Sequence, residues 1–178
     1  MINHNFINKA LDIDHSMKVS KVAKHIRSET HPNGYLHDAT DFGGSKSYLS
    51  KSHLTRTLRK MDIGFILANI LANQIRTSAN SAYERGVFVV TDRVLKGRDL
   101  DTTSAQSLLS SLRAKEKEFF TPTLWYPHRS YNSIIMKYTR DIDLINAVGP
   151  LFLRHARAAF AHGLRDACDI LTDEDVYC

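Results

Sequence analysis

The sequence predicts a mainly α-helical bundle around one long central helix, with long irregular loops, and three observations carry that reading. Apolar residues recur at steps of three and four along most of the 178 positions, the spacing that lines one side of a helix. The most sustained run (Leu54, Leu58, Met61, Phe65, Ala68, Ala72, Ile75, Ala79 and Ala82) alternates fours and threes over about four heptads. Only Val87 to Thr91 has the β-branched composition of a strand, and no second run pairs with it. A chain this long buries roughly 70% of its unfolded surface, so one core suffices and residues 1–178 read as a single domain. The hydrophobic share of 43% and charged share of 24% belong to a globular chain rather than a disordered or fibrous one.

The first element is a helix or helix pair ending near Ser28. Ile2, Phe6, Ile7, Ala10 and Leu11 fall at helical spacing, Ser16 is suited to cap a second segment, and Val19, Val22, Ala23 and Ile26 share one face. Lys18, Lys21, Lys24 and Arg27 step by threes beside that face, a slowly drifting basic stripe and the natural nucleic-acid contacts of the chain. From residue 30 to 48 the periodicity stops. His31-Pro32-Asn33-Gly34 makes a turn, Gly43-Gly44-Ser45 adds a second pliant point, and a connection of this length predicts a flexible arm with a binding role. Tyr35, Phe42 and Tyr48 are its aromatic anchors.

The central helix follows, with Ser52 as its expected cap and Gly86 as its stop. Ile63, Ile66, Leu67, Ile70 and Leu71 widen its apolar face beyond a coiled-coil seam, which places its middle inside the bundle. Val87–Thr91 is left as either one short strand or an extension of that helix. A turn at Gly97–Asp101 precedes a helix capped by Thr103 or Ser104 and ended by Pro122. The loop after it holds Trp125, Tyr126 and Tyr131 among two prolines, residue types that serve as interface hot spots or pack a connection onto the core. Two more helices are expected, one over Ile134 to Ile145 stopped by Gly149, the other starting near Pro150 and carrying Phe152, Ala156, Phe160 and Leu164. An acidic tail closes the chain at about residues 172–178.

Charge is divided along the chain. Residues 1–60 carry ten Lys/Arg against five Asp/Glu, residues 61–140 eleven against seven, and residues 141–178 three against seven. A basic body with an acidic end suits contact with nucleic acid, or head-to-tail packing of like subunits. The longest apolar run, Ile63 to Ile75, is too short and too polar for a bilayer span, and the first residues do not form a secretory signal, so an intracellular place, in the cytoplasm or in a virion, is expected, with no membrane contact. Two cysteines, Cys168 and Cys178, match neither a disulfide framework nor a metal spacing.

Nine histidines, six of them among the first 53 residues, raise the question of a metal. His31, His37, Asp38 and Asp41 follow no zinc spacing, so no metal and no cofactor is expected. Asp99/Asp101 and Asp141/Asp143 are alternate residues, which point apart on a helix or turn and read as caps or solvated carboxylates. No phosphate-cradling glycine loop and no nucleophile elbow occurs.

Arg157-Ala-Ala-Phe-Ala-His162, followed by Gly163, resembles the Arg-x4-His motif of the HEPN ribonuclease family. That family is also all-helical. The resemblance covers about seven residues and implies a composite active site, formed across a dimer, in which Arg157 and His162 would be catalytic. Ala158 stands where the family commonly has a polar residue after the arginine. Read without the resemblance, Arg157 and His162 belong with Arg154, His155 and Arg165 to the polar side of an amphipathic helix.

Three functions are therefore expected in order. The first is a non-catalytic assembly protein, such as a small virion subunit of the tailed-phage connector or neck kind, packed as a homo-oligomeric ring near DNA through its arm and aromatic loop. The second is a HEPN-like ribonuclease. The third is a basic nucleic-acid-binding regulator whose affinity falls steeply with salt.

Overall fold

A computed structural model describes residues 4–36, 49–96, 110, 111, 114 and 127–171, and among them every regular element is a helix. Five are named here: α1 (His4–Thr30), α2 (Lys51–Arg59), α3 (Phe65–Lys96), α4 (Pro127–Tyr138) and α5 (Ile142–Leu171). The mainly α prediction holds, and α3, 32 residues long, is the spine. Ser110, Ser111 and Ala114 are helical too, within the stretch where a helix is expected after Thr103.

The predicted central helix is broken in two. Lys60, Met61 and Asp62 direct their N–H groups back to Arg56, Leu58 and Arg59, tightening and closing α2, and Asp62 adopts a left-handed backbone with φ of 60°. Gly64 then opens the next helix, its carbonyl accepting from the Ala68 N–H at 2.9 Å. The cap of α2 is Ser50, whose hydroxyl accepts from the His53 N–H, rather than Ser52.

Gly86 does not stop α3, and Val87–Thr91 is helix rather than strand. Val87, Val90 and Val94 recur on one buried face, and the Thr91 hydroxyl is satisfied by the Val87 carbonyl at 2.7 Å, so burial overrides the β-propensity of the run. Pro150 likewise lies inside α5. The break falls earlier, at Arg140 (φ 54°) and Asp141, whose carboxylate accepts from the N–H groups of Asp143 and Leu144 at 2.9 and 3.3 Å. Asp141 is thus a cap, one of the two roles expected of it.

α3 and α5 make the most extensive contact, with α2 and α1 also laid against α3. His15–Asp92 and Arg27–Glu84 pairs show that α1 runs antiparallel to α3. Buried side chains from all five helices join one core, with Tyr83, Phe152 and Phe160 its largest. No helix among the described residues is long and apolar enough to cross a membrane.

Candidate active site on α5

The site is positioned by a crossing of α3 and α5 that only glycine permits. A Cβ on Gly86 would stand 2.5 Å from the Phe160 carbonyl oxygen, and one on Gly163 would run into the Tyr83 carbonyl. With no side chain at either position the backbones meet, and the residue before Gly163, His162, is brought beside the Tyr83 turn.

Around that crossing six polar side chains converge from three parts of the chain. Tyr35 and Tyr83 stack face to face, ring centres 4.1 Å apart and planes within 4°. His31, from the turn after α1, sets its edge against both rings at 5.4 and 5.2 Å. Tyr35 Oη lies 3.0 Å from Nδ1 of His162. The Tyr83 hydroxyl donates to Asp166 Oδ2 at 2.8 Å, and His31 Nε2 approaches the same oxygen at 3.0 Å. Thr30 Oγ1 lies 3.1 Å from Tyr83 Oη.

Burial, reinforced by the nearby Asp166 carboxylate, holds both tyrosine hydroxyls well above their ordinary range, so each keeps its proton. The His162 imidazole is shifted the other way, below the usual histidine value, by partial burial and by the nearby Arg165 and His31; the opposing pull of Asp166 does not cancel these. His162 is therefore mostly neutral near pH 7, although the residue is exposed. A cavity of about 400 Å³, lined in part by Lys24, His31, Tyr35 and Tyr83, opens on the tyrosine stack from the α1 side and is separate from the outer face of His162.

That outer face is a flat, basic strip. Arg154, Ala158, His162 and Arg165 are exposed along α5, with Ala161 and Arg157 half-buried beside them. Arg157 is half-buried, with its Nε shielded from solvent, and His162 is exposed on the same helix. At a spacing of five residues they stand about 140° apart around the axis and about 7.5 Å apart along it, and the small side chains of Ala158 and Ala161 lie between them.

The other residues singled out in the sequence are dispersed. Lys18, Lys21 and Lys24 are exposed on α1, but Arg27 is paired with Glu84 at 3.1 Å. Tyr35 is buried within the cluster and faces the chain's own core. Tyr131 lies on α4, while Phe42, Tyr48, Trp125, Tyr126 and the tail from residue 172 lie outside the described residues, as do His37, Asp38 and Asp41. No group of three metal-ligating side chains occurs among the described residues. Tyr83 and Asp166 were not legible in the sequence, because their partners are 53 to 135 residues away and no local spacing marks such pairs. No family model, no curated protein and no solved structure matches this chain.

Proposed function

We propose that the chain is a ribonuclease of the HEPN kind, with His162 as general base and Arg157 as the group that stabilises charge on the reacting phosphate. The observation that carries this reading is His162 itself: exposed, mostly neutral, and tethered at Nδ1 by a tyrosine that keeps its proton. The reading uses the tautomer in which Nδ1–H donates to the Tyr35 oxygen, which leaves the lone pair on Nε2, on the ring edge away from the tyrosine.

In that state Nε2 takes the proton from an RNA 2′-hydroxyl. The 2′-oxygen forms a bond to the adjacent phosphorus, the bond from phosphorus to the 5′-oxygen breaks, and that oxygen takes a proton from solvent water as it leaves, while the imidazolium returns its proton to solvent. The products are a 2′,3′-cyclic phosphate and a 5′-hydroxyl. A guanidinium such as Arg157 matches the phosphate oxygens with its planar fork and offsets the charge that develops on them. Arg154 and Arg165 extend the positive strip on which a strand would lie.

Replacing His162 by Ala is expected to abolish cleavage of single-stranded RNA while leaving the circular-dichroism spectrum that of the folded helical protein, since the residue is exposed and makes one side-chain hydrogen bond, to Tyr35. Tyr35→Phe keeps the ring stack and removes the tether, so kcat falls by about 10²-fold with KM nearly unchanged. Cleavage of RNA at the wild-type rate by His162→Ala sinks the reading.

A further inference from the structure

A second cluster of charge lies at the other end of α3. Lys51, Arg56 and Arg59 from α2 and Lys60 just after it, together with Phe65 and Asn69 from the first turns of α3, line an open cavity of about 670 Å³, the size of a small-ligand pocket. No carboxylate lines it, and Asp62 is the one acidic residue between positions 51 and 69. Among the described residues none of the four cations is ion-paired, and all four are exposed.

The aromatic component separates this cavity from an ordinary basic surface. Phe65 is 59% exposed and its neighbour Ile66 71%, although core positions are available to apolar residues one turn further along α3. The Arg59 guanidinium sits over the Phe65 ring, 5.6 Å from its centre, so one face of the ring already meets a cation while the side chain as a whole stays largely exposed.

We infer that this cavity is a binding site for single-stranded nucleic acid, in which a base stacks on Phe65 and the flanking phosphates contact Arg56, Arg59, Lys51 and Lys60. A flat hydrophobic ring beside a fork of cations is the arrangement that reads a strand without reading its sequence, since every base has a face to stack and every nucleotide a phosphate to pair. An acidic peptide would use the cations and leave the ring bare. Phe65 and Tyr83 are 18 residues apart on α3, about 27 Å along its axis. The cavity is therefore distinct from the polar cluster around Tyr83 and His162, and it does not depend on that cluster being catalytic.

The test is fluorescence anisotropy of the full chain with a short, fluorescein-labelled 2′-O-methyl oligouridine, which lacks the nucleophile and cannot be cleaved, so failure here is separable from failure of the ribonuclease reading. Arg56→Ala with Arg59→Ala is expected to weaken binding at least tenfold and to lower the slope of log K against log salt by about 1.4, two phosphate contacts at about 0.7 each. Phe65→Leu is expected to cost about tenfold and Phe65→Tyr, which restores a stacking face, almost nothing. Unchanged affinity and slope in the arginine variant, equal affinity of Phe65→Leu, or equally tight binding of a duplex of the same length each overturns the proposal. A site that holds uridine monophosphate as tightly as the oligomer would overturn it as well, because it would then be a free-nucleotide pocket.

Discussion

His155 and His162 lie seven residues apart on one helix, and both titrate below the usual histidine value, yet they do so in different surroundings. His155 is buried, and burial, with Arg154 and His53 nearby, pushes its pKa down to about 4. A histidine that is harder to protonate in the folded state contributes stability in full above its unfolded value of about 6.5. That contribution is lost as the pH falls through the folded value near 4, and it amounts to about 3 kcal/mol. The stability difference between wild type and His155→Gln, followed by urea unfolding, is therefore expected to change between pH 6.5 and 4 and to be flat above that window. Parallel curves for the two proteins across the window would contradict it. His162, with one side open to water, has the same direction of shift with a chemical use: a base that stays unprotonated to lower pH than an ordinary histidine.

At the scale of elements, the α3–α5 crossing decides where the polar cluster stands. Gly163→Ala places a methyl group against the Tyr83 carbonyl, and since the obstacle is backbone rather than a flexible side-chain tip, the helices must separate. A destabilisation of about 3 kcal/mol follows, which for a chain of 178 residues lowers the melting temperature by roughly 6–12 °C. Gly64→Ala is the matched control, because a Cβ there meets nothing within 4 Å. Equal melting temperatures for the two variants would remove the crossing as the organising contact. The same element shows what propensity misses. Val87–Thr91 is β-branched and helical because one face of the run is buried against the core, and Gly149–Pro150 is helical because the preceding residues are already nucleated by the Asp141 cap.

For the whole molecule, the ribonuclease reading and the ring-assembly reading predict different particles. The low strip between Arg157 and His162, with alanines at 158 and 161, suits a paired arrangement of two α5 helices, as the resemblance to HEPN proteins implies. Light scattering after size exclusion is expected to give a dimer, near twice the 20.2 kDa chain mass. A ring-sized particle would instead favour the scaffold of like subunits that the charge asymmetry, the arm and the aromatic loop suggest. A basic regulator without catalysis would keep the salt-dependent binding and lose nothing on removal of His162.

The sequence by itself determined the mainly α class, the apolar faces that become the core and the Arg157–His162 spacing, because each depends on residues within a turn or two of one another. It also carried the signal for the α2–α3 break, an Asp-x-Gly inside a helical pattern, which the length of the heptad run outweighed. Only the tertiary structure decided that Gly86 and Gly163 are packing glycines rather than stops, that Tyr35 turns inward to hold His162, and that Tyr83 and His31 share one carboxylate of Asp166. Those contacts join residues up to 135 positions apart, and helical periodicity states which face of a helix is buried without stating what lies on the other side.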